Sequence, residues 1–254
     1  ITPKEGYWND TIQITATLTD THNNKPLQNK EIHFKINGNP IASIFTNTQG
    51  TATLPYQIPL NTGNYPIIVT FNTDLIYTGT TNTTTLNVKS TPTKITINPA
   101  TGYWNDTITI TATLTDTAPG HNNKPLQGKT IHFTIQGDPN TYHTITNATG
   151  TATLQYTITQ NTGPYTITTT HDTDQIYTGT TGTNTLTVQS TPTQIVVSPV
   201  SGYDHDIVSL TASFKDTIHN KPLKNKIIQF FVNNNPEGFA TTTSDGIATL
   251  SYTI

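Results

Sequence analysis

The block GYWNDTIQITATLTDT at Gly6–Thr21 returns as GYWNDTITITATLTDT at Gly102–Thr117 and, more loosely, as GYDHDIVSLTASFKDT at Gly202–Thr217. Later landmarks keep the same order. NKPLQNK (Asn24–Lys30) recurs as NKPLQGK (Asn123–Lys129) and NKPLKNK (Asn220–Lys226), and GTATLPY at Gly50 recurs as GTATLQY at Gly150 and GIATLSY at Gly246. TDLIYTGTT (Thr73–Thr81) recurs as TDQIYTGTT (Thr173–Thr181). A period of about 100 residues is too long for a solenoid and suits a whole small domain, so each copy has to close its own core.

Within each copy apolar residues fall at every second position, the mark of strands with one buried face. Ile12, Ile14, Ala16 and Leu18 make one run; Ile32, Phe34 and Ile36 the next; Ala52, Leu54, Tyr56 and Ile58 another; Tyr65, Ile67, Val69 and Phe71 another; Leu86 and Val88 the last. The second copy adds an opening strand at Lys94–Ile97, and a short strand fits near Ile41–Phe45. About seven strands per copy, joined by Gly-, Asn- and Pro-rich turns, predict an all-β chain of tandem immunoglobulin-like antiparallel β-sandwiches in an extended rod. The outward positions are mostly Thr, which explains why 60 of 254 residues are Thr.

Composition narrows the function classes. Cys is absent, which excludes disulfides, thiolate catalysis and Cys-ligated metal. Net charge is −3 and no basic stripe occurs, so the attraction that dominates nucleic-acid binding is missing. No apolar run approaches the roughly 18–20 residues of a membrane helix. The chain opens without Met and without a secretion signal, as a mature piece or a fragment would. Aligned on the repeat, residues 1–91 form a first domain with its opening strand partly missing, 92–191 a complete second, and 192–254 a third without its last two strands. Those strands would come from further chain or, in donor-strand fashion, from a neighbouring molecule.

The order LTDT, NKPLQNKEIHFKI, TNTQGTATLPYQI, TGNYPIIVTFNTDLIYTGTT, LNV resembles bacterial immunoglobulin-like repeats of the invasin and intimin kind. The tandem Thr/Asn/Ile-rich form is similar to adhesin-like surface proteins of methanogenic archaea. The most specific elements are the PL-x-x-K segment, the G-x-A-T-L strand and the Asp-x-x-Tyr turn. The resemblance implies an extracellular, cell-surface protein without catalytic activity, whose repeats act as a stalk presenting a binding region or bind other cells directly.

No catalytic constellation recurs. His22, His121 and His219 stand one per copy before the PL segment and read as solvated loop residues; His33 and His132 alternate with buried Ile and Phe and point outward. Asp20, Asp116 and Asp216 end the second strand and suit capping of the following turn. Lys30 and Lys129 begin the neighbouring strand, at the same end of the sandwich as Asp74 and Asp174, which predicts Lys–Asp contacts. The plain form is a partly exposed ion pair; the sharper form is a spontaneous isopeptide bond.

Tyr7, Trp8, Tyr103 and Trp104 lie in the turn after the first strand, at the end facing the next domain, where they either pad an interdomain contact or offer a face for sugar rings. Asp10 and Asp106 lie in the same turns and could face Asp116 and Asp216 of the following domain. Paired carboxylates of that kind could hold Ca²⁺, the one cofactor candidate. Sequons at Asn9, Asn82, Asn105 and Asn147 are candidate glycosylation sites.

The leading expectation is a spacer. A strand of about eight residues spans roughly 27 Å, so two domains and part of a third would extend about 100 Å, and the linkers Ser90–Thr93 and Ser190–Thr193 each hold a Pro that limits bending. The partners expected are neighbouring domains of the same chain, with cell-surface glycans or proteins beyond them, and neither nucleic acid nor membrane insertion. The competing readings are a carbohydrate-binding module using Trp8 and Trp104, and a repeating filament subunit closed by exchanged strands.

Overall fold

The computed structural model describes all 254 residues, every one of them outside helix. They gather into two compact units: Ile1–Pro99 with Thr109–Tyr156 and Thr166–Thr185, and Ala100–Ile108 with Thr157–Tyr165 and Leu186–Ile254.

In the first unit, the first copy of the repeat builds two main sheets, with a short extra ladder between Thr19–Asp20 and Lys25–Pro26. One runs in the order Lys4–Tyr7, Thr80–Lys89, Gly63–Phe71, Glu31–Ile36, Asn39–Phe45; the other pairs Thr11–Thr17 with Thr51–Gln57. The alternation read from the sequence is the packing. Ile14, Phe34, Ile36, Ile58, Ile67 and Leu86 are each no more than 2% exposed and share one core. A buried side chain of that size contributes about 1.5–3 kcal/mol. The second copy's strands in this unit repeat the scheme: Thr93–Ile97 pairs with Ala112–Asp116, and Thr130–Ile135 pairs with Thr141–Ile145 and with Ile167–Thr170. Ile110, Leu114, Ile131, Phe133 and Ile135 are buried.

In the second unit, Ala100–Tyr103 runs parallel to Leu186–Gln189. The third copy pairs Thr193–Val197 and Ile247–Thr253 with Ile207–Asp216, and Ile227–Val232 with Asn235–Thr241. Its core is smaller, centred on Ala212, Ile228, Phe230 and Ala248.

Two expectations need correction. Gly6 and Tyr7 are not turn residues: Lys4–Tyr7 is a strand, paired in parallel with Leu86–Lys89, so the sandwich is not purely antiparallel. In the second copy the opening segment makes one strand, Thr93–Ile97, breaks at Asn98–Pro99, and makes another, Ala100–Tyr103. Proline has no N–H to continue a ladder, so the chain leaves one pairing there and takes up another. One threonine in each copy stands inside and has a structural role. Thr46, Thr146 and Thr242 are 4%, 2% and 2% exposed. Each hydroxyl donates to the carbonyl of the PL segment (Leu27, Leu126, Leu223) and accepts the N–H of the following Lys (Lys30, Lys129, Lys226), tying that segment to the core.

Candidate functional site: carboxylate–histidine–carboxylate bridges

The turn after each short parallel or equivalent segment is closed by its own aspartate. Oδ2 of Asp10, Asp106 and Asp206 accepts the N–H of Tyr7, Tyr103 and Tyr203 at 2.7–2.8 Å. Asn9 and Asn105 take the left-handed conformation, φ 70° in both, that lets these turns reverse. In Asp10 and Asp106 the other oxygen, Oδ1, is left to a partner outside the turn.

The second set of aspartates caps the other turn. Asp20 Oδ1 accepts from the His22 N–H, Asp116 Oδ1 from Ala118 and Asp216 Oδ1 from Ile218, at 2.7–2.9 Å. Asp116 and Asp216 are nearly buried, and each again has a second oxygen to satisfy.

His121 joins the two sets. It donates from Nδ1 to Asp116 Oδ2 at 2.6 Å and from Nε2 to Asp10 Oδ1 at 2.8 Å, with its side chain 13% exposed. In the second unit His219 does the same, from Nδ1 to Asp216 and from Nε2 to Asp106, both at 2.6 Å. The reading of His121 and His219 as solvated loop residues is therefore wrong. Each is a bridge whose far partner lies in the preceding repeat, 111 and 113 residues back. A signal is present, one Asp followed by one His ahead of the PL segment in every copy, but the partner's distance along the chain hides it. His22 is exposed.

Two ionised carboxylates on two ring nitrogens require both nitrogens to carry protons, so the bridge is an imidazolium between two anions. Burial opposes that charge at His121, but the hydrogen bonds it donates to Asp116 and Asp10 outweigh it and raise the pKa. At His219 the bonds to Asp216 and Asp106 raise it. Asp106 is lowered by the Tyr103 N–H and by His219. Burial pushes Asp216 upward, but His219 and the turn N–H groups more than reverse this. With both nitrogens occupied, neither is left to exchange a proton with a substrate.

The aspartates proposed for Ca²⁺ do converge in pairs, Asp10 with Asp116 and Asp106 with Asp216, and an imidazole stands between the members of each pair. No group of three or more His, Asp or Glu side chains is arranged to hold a metal.

Around the first bridge, the Tyr7 ring meets His121 edge-on at 6.3 Å, and Trp8 meets Tyr177 edge-on at 6.5 Å. Tyr177 lies under Lys129, whose Nζ is 4.3 Å from the ring centroid and 2.6 Å from Asp174 Oδ2. The first copy repeats this with Lys30, 4.8 Å from the Tyr77 ring and 2.5 Å from Asp74. Asp74 also accepts the N–H groups of Ile76 and Tyr77; Lys30 first and these two next hold its pKa down at about 2. These lysines keep 21–23% of their side-chain surface exposed.

The linker is bonded in as well. Thr91 is fully buried; it donates its N–H to Ile176 O (2.7 Å) and accepts from the Thr178 N–H (2.9 Å). Thr117 N–H bonds Pro92 O, and the Thr62 N–H bonds Gln175 O. In the second unit Tyr103 is half-buried and Trp104 is 60% exposed, lining a shallow cleft with Asp216, His219 and Pro222. Among the sequons, Asn9 and Asn82 are exposed, Asn105 holds its turn, and Asn147 Oδ1 accepts from the Thr149 and Thr151 N–H groups, capping its own loop.

No family model and no curated protein matches the chain. Solved structures similar to it include invasin, a bacterial integrin-binding protein, at 15% identity and a TM-score of 0.47, over 97% of this chain and 52% of that one. A tetra-tandem repeat from the extending region of a large adhesion protein is 14% identical with a TM-score of 0.41, over 96% of this chain and 62% of that one. The chain thus spans about half to two thirds of those molecules. The β-glucuronidase 3 of Bacteroides uniformis is 14% identical, with a TM-score of 0.25, over 72% of this chain and 23% of its own. Bacterial adhesin repeats of immunoglobulin-like form are therefore among the chain's structural neighbours, alongside weaker matches to glycosidases.

Proposed function

We propose that the chain is a non-catalytic stalk of a microbial cell-surface adhesin, a run of sandwiches that carries a binding region away from the cell. The observation that carries this reading is the repetition of one contact: acid from one copy, histidine and acid from the next, made at Asp10–His121–Asp116 and again at Asp106–His219–Asp216. A spacer needs its junctions stiff and alike, and a bridge plus a hydrogen-bonded linker of four residues supports that. Trp8 is engaged with Tyr177, which favours padding over sugar stacking at that position. The Thr- and Asn-rich composition without Arg supports a source among archaeal surface proteins. Small-angle scattering of the whole chain tests the proposal: a maximum dimension near the roughly 100 Å of end-to-end sandwiches is expected, and a compact particle would refute it.

A further inference from the structure

His132 and His143 lie on the antiparallel strands Thr130–Ile135 and Thr141–Ile145 and are directly opposite in register. Ile131 and Phe133 on either side of His132 are fully buried, so the imidazoles project from the other face of the sheet. Directly opposed side chains lie about 4.5–5.5 Å apart at Cβ, close enough for two rings to share one ligand. Here the rings stand perpendicular with centroids 4.7 Å apart, and the two Nδ1 atoms face each other at 2.6 Å. Asp172 Oδ2 lies 3.2 Å from Nε2 of His132.

This arrangement selects a tautomer. A neutral imidazole has one N–H, and a carboxylate beside Nε2 draws it there, leaving the Nδ1 lone pair of His132 aimed at Nδ1 of His143. Two imidazole nitrogens held face to face at hydrogen-bond distance, with a carboxylate behind one ring, place side by side the elements of a metal-binding histidine pair and its orienting partner.

The other copies supply the internal comparison. In the first, the same places hold His33, Ser43 and Asn72, with Ser43 Oγ 2.7 Å from Nδ1 and the amide of Asn72 3.0 Å from Nε2. In the third, Gln229 faces Phe239. Only the second copy has both the second imidazole and, at the position of the neutral amide, a carboxylate.

We propose that His132 and His143 chelate one borderline divalent cation of the zinc, nickel and copper class on the outer face of the second sandwich, with Asp172 orienting His132. Two nitrogens and water complete such a site on an exposed surface, and imidazole is the ligand these ions favour. Metal–nitrogen bonds of about 2.0–2.1 Å need the two Nδ1 atoms somewhat farther apart than 2.6 Å. His143 is exposed and can rotate to provide that. Both rings must be neutral, so binding weakens in acid.

The test is Zn²⁺ titration of the full chain by calorimetry, with the variants His143→Ser, which installs the residue of the first copy, His33→Asn as control, and Asp172→Asn. One site per chain is expected in the parent and in His33→Asn, at least tenfold weaker in His143→Ser and about tenfold weaker in Asp172→Asn. Unchanged melting of His143→Ser without metal shows that the fold is intact. A parent that takes up no Zn²⁺, or a His143→Ser variant that binds as the parent does, would overturn the site; an unchanged Asp172→Asn would remove Asp172 from it.

Discussion

If His121 joins two repeats as an imidazolium, Asp10 and His121 must be energetically coupled, and the coupling must depend on pH. Asp10→Ala also strips the Tyr7 N–H of its acceptor, and His121→Ala also leaves the nearly buried Asp116 one bond short. A double-mutant cycle cancels both side effects and leaves the Asp10–His121 interaction itself. A hydrogen bond to a charged group contributes about 1.5–3 kcal/mol. Asp10 keeps 26% of its side-chain surface in water, and solvent screening brings the expected coupling down to about 1–2 kcal/mol.

The sign follows from His121's raised pKa. Its stabilisation is full below the unfolded histidine value of about 6.5 and is lost as pH rises through the higher folded value. The cycle is measured by urea unfolding, following fluorescence in a Trp104→Phe background where Trp8, beside the bridge, is the sole tryptophan. The coupling should be larger at about pH 5.5 than at about pH 8.5. Below about 0.5 kcal/mol at the lower pH, or equal at both, it would show that the bridge does not join the repeats.

Replacing Thr146 by Val should destabilise the second sandwich by about 2–4 kcal/mol, because a buried carbonyl and N–H both lose their partner; Thr146→Ser, which keeps the hydroxyl, should recover most of it in the same denaturation assay. Gly150 has φ 71°, and an added Cβ would lie 2.6 Å from Leu114 O. Gly150→Ala should therefore cost about 2–4 kcal/mol by melting, and a neutral result would mean that the turn can relax. The Asp74 carboxyl, followed by NMR, should titrate near 2, so its contribution is present above the unfolded value and fades only as pH falls toward 2. An intact mass matching the sequence is expected if Lys30–Asp74 and Lys129–Asp174 are ion pairs; loss of one water per pair would show amide bonds instead. Adding Ca²⁺ should leave the melting temperature unchanged, since imidazole fills the place a Ca²⁺ ion would take between Asp10 and Asp116.

What the sequence makes legible is what depends on near neighbours. Ile32, Phe34 and Ile36 alternate, and all three are buried; period two is a local property that the final fold has only to respect. The parallel strand Lys4–Tyr7 was not legible, because its partner Leu86–Lys89 lies at the other end of the domain and glycine and lysine carry no strand pattern. Thr46, Thr146 and Thr242 look like every other threonine in a chain of 60, and only the position of a turn carbonyl tells them apart. The bridging histidines are hidden for a related reason: nothing within one repeat marks His121 or His219, because the group that defines its role sits in the repeat before.

The turns that deliver the two bridging histidines differ in length. His121 lies five residues after Asp116 and His219 three after Asp216, yet both reach their own aspartate through Nδ1 and the preceding repeat's aspartate through Nε2. A side chain placed only by loop geometry would move when two residues are added. That it does not implies that the two carboxylates set the position and that the loop accommodates it, since closing a slightly longer loop costs only a few tenths of a kcal/mol while an unpaired, nearly buried carboxylate costs far more. The unit of repetition at these junctions is thus the contact rather than the length of chain that makes it.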